Sequence, residues 1–240
     1  FGPLPRPARA LPAFHTRETP QDGEREVTVR RTGELRVVAA NYHIPSAAHP
    51  DSAALAVLGN VLGDTPRGRL HKALVDPKLA AFATAASEAM RDPGLFTLIT
   101  ALPGDGDAPA AEAALLAQAE GLARQPITEQ EVAEAKQRLS NATELLLSDV
   151  NAVGMALSES QAAGDWRLLF VRRDAVAAVT AEDVNRVAAA YLKPSNRTLG
   201  RFVPTPQPDR VAMSPAPAVA SLVDGYTGRE AVAAGEAFDP

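Results

Sequence analysis

The sequence predicts an α+β fold: a mainly antiparallel sheet with helices packed on one face. Three observations lead there. Apolar residues make up 46% and charged residues 22% of 240 positions, enough for a packed core. Extended, β-rich runs fall near both ends and in the middle of the chain, bounded by Gly and Pro. Helical patterns lie between them, but the two types do not alternate strictly, as a parallel βαβ repeat would require.

The elements follow in order. "REVTVRRTG" alternates Val27 and Val29 with charged neighbours and ends at Gly33, a strand and a turn. "ELRVVAANYHIP" is a second strand stopped by Pro45, and the two read as a hairpin. "HPDSAALAVLGNVLG" places Ala54, Leu55, Leu58, Val61 and Leu62 on one helical face; Pro50 and Asp51 suit its first turn and Gly63 its C-cap. "RGRLHKALV" is a second helical segment, with Leu70, Leu74 and Val75 together. "LAAFATAASEAM" and "GLFTLITALP" are strands, the latter buried. "DAPAAEAALLAQAEGLARQP" is a helix opened by Pro109 and closed before Pro126. "ITEQEVAEAKQRLSNATELLL" opens with a capping box, in which Thr128 accepts from first-turn amides and Glu131 reaches back. Its helical pattern continues toward Gly154 and Trp166 with a break. "VTAEDVNRVAAAYL" repeats the box with Thr180 and Asp183, and "NRTLGRFVP" is the closing strand. The expected organisation is a proline-rich linker over 1–25, a folded domain over 26–204, and a proline/alanine-rich linker over 205–240 toward a following domain, a piece cut from a longer chain.

Charge and composition exclude several functions. A net charge of −5 lacks the basic stripe of a nucleic-acid binder. The absence of cysteine rules out disulfides, thiol catalysis and thiolate zinc fingers. No apolar run approaches the roughly 20 residues of a membrane span, and the first residues lack a signal-peptide core.

The stretch "LGDTPRGRLHKALVDPKLAAFATA" spaces Gly63 and Gly68 like a phosphate loop, but Arg69 and Leu70 stand where Lys and Ser or Thr are needed. A helix also precedes it where a strand should. Among His15, His43, His49 and His71, no pair is three or four apart, so no helix presents two imidazoles on one side. Asp105 and Asp107 resemble the start of a calcium loop but lack its later ligands, which leaves a solvated turn. There is no Gly-x-Ser-x-Gly elbow. Glu129, Glu131 and Glu134 cluster at a helix start, where carboxylates complement the helix dipole. Asn141 and Asn196 head sequons read as chance matches.

"HPDSAALAVLGNVLGDTPRGRLHKALVDPKLA", "DPGLFTLITAL", "ITEQEVAEAKQRL", the "AAGDW" turn and "VTAEDVNRVAAAYLKPSNRTLGRFVP" together resemble the pitrilysin/insulinase-type zinc metallopeptidases, with their processing-peptidase-like fold, over residues 26–204. The resemblance implies repeated α+β domains closing around a proteolytic chamber. One repeat holds zinc through His-x-x-Glu-His and a distal Glu. This chain contains no such motif; "LAVLGNVLGD" occupies its place. A substrate-clamping Arg/Tyr pair, seven apart in a non-zinc repeat, would fall on Val75 and Phe82, which cannot donate a side-chain hydrogen bond. The clamp would then be degenerate and retained as packing.

The resemblance therefore implies a non-catalytic repeat, the second in a zinc endopeptidase. It would have no catalytic or metal residues and no cofactor of its own, with zinc in a separate domain. The expected partners are that zinc-bearing domain, in the same chain or a partner subunit, and peptide substrate, with no nucleic acid and no membrane span. The expected location is the bacterial periplasm, with the cytoplasm as the alternative. The alternative is an inert scaffold or peptide-binding subunit of a processing-peptidase-like complex.

Overall fold

Five strands join into one sheet of order β1-β5-β2-β4-β3 in the computed structural model, which describes residue 3 and residues 19–229. The strands are β1 (Arg25–Arg31), β2 (Leu35–Ile44), β3 (Phe82–Glu88), β4 (Gly94–Pro103) and β5 (Arg197–Pro204). Six helices accompany them: α1 (Ser52–Gly63), α2 (Ala108–Glu120), α3 (Glu129–Leu147), α4 (Val150–Ala162), α5 (Leu168–Ala178) and α6 (Ala181–Tyr191). The described residues up to Gln207 form one unit. In a second unit, 208–240, a short helix, α7 (Val219–Val223), leaves Val219, Leu222 and Val223 exposed.

Strand alternation decides where the core lies. Val38, Ala40, Tyr42 and Ile44 of β2 point to one face, with Phe96, Leu98 and Leu102 of β4, Ala83 and Ala85 of β3, and Leu199 of β5. All are buried, and helices cover this side. Leu55, Leu58 and Leu62 of α1, Leu115 of α2 and Val184 and Val187 of α6 complete the same cluster. Each such side chain contributes about 1.5–3 kcal/mol by leaving water. Both predicted capping boxes form, at Thr128 with Glu131 and at Thr180 with Asp183. The predicted break falls at Ser148, where α3 ends and Asp149 caps α4.

The expected β1–β2 hairpin does not form. β5 lies between them, parallel to β1 and antiparallel to β2. The link 32–34 steps over the end of β5, where Thr205 donates to the Arg31 carbonyl at 2.8 Å. Three residues can bridge the roughly 10 Å between next-nearest strands, so the short link is no proof of pairing. Gly33 suits the crossing because a β-carbon there would lie 3.1 Å from the Phe202 ring.

"RGRLHKALV" is helical as expected but wider than an α-helix, closing in a π-helical turn over His71–Val75, where the Asp76 amide donates to the His71 carbonyl five residues back. Helix α5 was not foreseen: Arg167 precedes it, with no side-chain cap, and none of its residues is fully buried. The role expected for Gly63 also changes. It is the last helical residue, and Asp64 follows as the cap. A β-carbon at Gly63 would meet the Ala85 backbone nitrogen and oxygen at 2.3 Å. The glycine lets α1 lie directly on β3.

Gly63 and Gly154 should respond oppositely to alanine. Gly154 faces open space in α4, so Gly154→Ala should stabilise by about 0.5–1 kcal/mol. Gly63→Ala should destabilise by about 1–3 kcal/mol through overpacking. Urea titration of both variants reads the signs, and equal signs would contradict this packing.

Candidate functional site

The stretch 62–85 and helix α1 hold every position that the sequence links to catalysis. In α1, Leu55, Val57, Leu58, Val61 and Leu62 are buried in the core. Hydrocarbon fills the interior side of this helix and offers no lone pair to a metal or to water. Among the described residues, no group of three His, Asp or Glu side chains is placed to hold a metal ion. His71 lies 3.4 Å from Asp76, and His49 lies 3.8 Å from Asp51. His43 sits on β2, and His15 lies outside the described residues.

The loop with phosphate-loop spacing is closed by its own backbone. A β-carbon at Gly68 would stand 2.5 Å from the Asp64 carbonyl oxygen, whose hydrogen bond from the Gly68 amide is 2.9 Å. Arg69 points into the protein fabric instead. It donates to both carboxylate oxygens of Glu131 at 2.7 and 2.8 Å, and to the carbonyls of Gln125 and Pro126 at 2.7 and 2.8 Å. One guanidinium thus ties the end of the α1 loop to the start of α3. Burial acts to raise the Glu131 pKa, but Arg69 and the Thr128 amide and hydroxyl outweigh it, holding the carboxyl at about 2. Glu129 and Glu134 have no comparable ties: Glu129 is exposed, and Glu134 accepts from Gln130 at 3.0 Å. Asp107 caps α2 by accepting from the Ala110 amide at 3.0 Å. Asn141 is exposed on α3, whereas the Asn196 amide donates to the carbonyls of His43 and Tyr191, both at 2.9 Å.

Val75 and Phe82 part company. Val75 ends the π-helical turn and packs, half-buried, against the core. Phe82 opens β3 with 49% of its surface exposed, so its expected role in packing fails. It stands opposite Ala101 on the helix-free side of the sheet. That side carries an apolar row across all five strands. Val29 pairs with Phe202, Phe202 with Val37, Val37 with Ala101 and Ala101 with Phe82. A second row, Val27, Gly200, Ala39 and Ile99, lies beside it. Toward the other end the surface turns polar, where Thr97 donates to Asn41 at 2.8 Å.

The helix-covered side is instead sealed at its margins by ion pairs. Arg197 is buried and bonds Glu24 and Glu120, and the Tyr42 hydroxyl donates to the same Glu120 at 2.9 Å. Burial, then the neighbouring Glu120 carboxylate, pushes the Tyr42 pKa up. Arg201 bridges Glu26 and Glu112 at 2.7 and 2.6 Å. The Asp51 side chain does not cap α1. Its carboxylate accepts from Arg186 at 2.8 Å and from the Tyr191 hydroxyl at 2.7 Å, and the Arg186 bond holds its pKa low. Burial and this bond to Asp51 push Tyr191 up to about 12. These groups lie 77 to 175 positions apart in sequence, so no local motif announced them. They join elements rather than converge on a cleft.

Comparisons with known proteins agree on one relationship. The family model of the peptidase M16 inactive domain matches residues 1–139. The zinc protease PqqE of Helicobacter pylori is 32% identical over 130 residues, 53% of this chain and 29% of its own. A solved inactive peptidase domain from Bordetella parapertussis is 40% identical with a TM-score of 0.67, covering 75% of this chain and 98% of that one. A protease from Helicobacter pylori superposes with a TM-score of 0.77 at 26% identity, over 82% of this chain and 48% of that one. The chain thus spans less than a third of the curated relative.

The Arg69–Glu131 tie carries a pH signature. The folded-state pKa of Glu131, about 2, lies below the ordinary value of 4.5. Its stabilisation is therefore complete above about pH 4.5 and is lost as pH falls toward 2. Glu131→Gln should cost about 1–3 kcal/mol at pH 7. The gap between variant and parent should narrow on acidification through that window in urea titrations. A gap independent of pH would contradict the assignment.

Proposed function

The chain belongs to the peptidase M16 inactive-domain family, and from that membership we propose that it is a non-catalytic repeat, the second, of a multi-domain zinc endopeptidase. It packs against a separate zinc-bearing domain of the same chain or a partner subunit, and it forms part of a closed chamber in which peptides are cut. Its folded part is 26–204, between linkers. The observation that carries this reading is the apolar row Val29, Phe202, Val37, Ala101 and Phe82 on the helix-free sheet face. A two-layer unit leaves that face in water, and a continuous apolar surface of this kind marks an interface. Hydrophobic burial against a companion repeat would cover it.

In this reading Val75 and Phe82 mark a lost substrate clamp. Val75 has become core, and Phe82 serves the interface. Catalysis would belong to the companion, whose histidine-held zinc would supply the Lewis acidity that peptide hydrolysis needs. This chain supplies shape, closure and exclusion of large folded substrates. The periplasm suits the whole protein, and a chain without cysteine is indifferent to that oxidising compartment. An inert peptide-recognising subunit is the second reading. It draws on β1, which among the described residues is an edge strand paired only with β5, and whose outer side could add an extended peptide.

The test is reconstitution. The isolated chain should bind no stoichiometric zinc and cleave no unfolded peptide. Mixed with the zinc-bearing repeat of its parent protein, it should form a complex by light scattering and raise zinc-dependent hydrolysis. Val37→Asp should weaken that complex at least about tenfold, because it places a charge in the apolar row, while circular dichroism stays unchanged. Chelator-sensitive hydrolysis by the isolated chain, or a complex indifferent to Val37→Asp, would refute the proposal.

A further inference from the structure

Helices α3, α4 and α5 carry a second apolar surface, separate from the sheet. Neither α4 nor α5 contains a fully buried residue. Leu145, Val150 and Met155 are 74%, 83% and 67% exposed. An open groove of about 740 Å³ runs between α3 and α5, with Leu139, Leu146 and Leu169 among its lining. Its charged lining is mainly basic: Lys136, Arg172 and Arg173 against Asp174 alone. Arg173 pairs with Asp174 at 2.8 Å and lies over the Phe170 ring, 5.5 Å from its centroid. Lys136 donates to the Val179 carbonyl at 2.9 Å, which leaves its charge unbalanced. Arg172 has no ion pair or hydrogen bond among the described residues. Two uncompensated cations thus border an apolar groove on a chain whose net charge is −5.

We propose that this groove docks an amphipathic helix of a partner protein, its apolar stripe flanked by carboxylates that pair with Arg172 and Lys136. The apolar lining selects the stripe, and the local positive charge selects the flanks. The walls of the groove are helices, whose backbone groups are already paired. An extended peptide would find no strand edge there for its own amides, whereas a helix satisfies its own. The inference does not depend on the peptidase reading, because the groove and the helix-free sheet face are built from different elements.

Trp166, the only tryptophan, packs edge-on against Phe170 at 6.2 Å and reports on the α5 end of the groove. The 240-residue chain is titrated with a synthetic helical peptide about five turns long, with a Leu stripe and Glu flanks. The expected result is saturable binding with a blue shift of Trp166 emission. A matched peptide with Lys flanks should bind at least about tenfold more weakly. Arg172→Glu should weaken the Glu peptide by about tenfold or more and strengthen the Lys peptide, with unchanged thermal unfolding. Arg172→Gln, which keeps most of the side chain's bulk, should fall between and covers the case in which Arg172→Glu fails to fold. Equal binding of both peptides, or saturable binding of neither, overturns the proposal. So does concentration-dependent dimerisation lost in Arg172→Gln, which would assign the groove to a second copy of this chain.

Discussion

The double pairing of β5 is the constraint on which the unit depends. This strand comes last in the chain, enters between β1 and β2, and is the only strand paired with β1 among the described residues. It also carries Arg197 and Arg201, whose guanidinium groups draw in Glu24 and Glu26 from the chain start and Glu120 and Glu112 from α2. Without it, β2 and β4 would still pair, but the first strand and the margins of the helical layer would lose their anchors. Breaking one partner of a buried pair such as Arg197 with Glu120 leaves a charge away from water, a far larger cost than losing a surface bridge.

The two faces of the sheet divide the work. One is closed by helices and bordered by ion pairs that link distant segments. The other is apolar along one band and polar beyond it, with Asn41 and Thr97 at the polar end. The chain belongs to the peptidase M16 inactive-domain family, and the interior side of its α1 is hydrocarbon. That core is closely packed: the interior of α1 is Leu and Val, and Gly63 allows it to touch β3.

What the sequence disclosed was local. Both capping boxes span three residues and could be read directly, as could β4, whose apolar run is bounded by Gly94 and Pro103. The missing zinc motif was equally plain. The insertion of β5 was not legible, because the pairing of Val29 with Phe202 spans the whole unit and turn chemistry at Gly33 allows either outcome. Helix α5 escaped because it begins at Arg167 without a capping side chain and buries no residue that would sharpen its apolar stripe. The exposed position of Phe82 needed the register, which alone aligns it with Ala101 and Val37.

The distance along the chain between β1 and β5 also has a temporal meaning. Arg25 pairs with Thr198, so the first strand leaves the ribosome long before its partner exists. At about 5–20 residues per second, translation of the intervening stretch takes roughly ten to thirty-five seconds. Throughout that interval Val27 and Val29 are an orphan β-segment, the kind that nucleates aggregation. Arg25, Glu26, Arg30 and Arg31 surround them with charge, and gatekeepers of that type keep a nascent strand soluble until its mate is made.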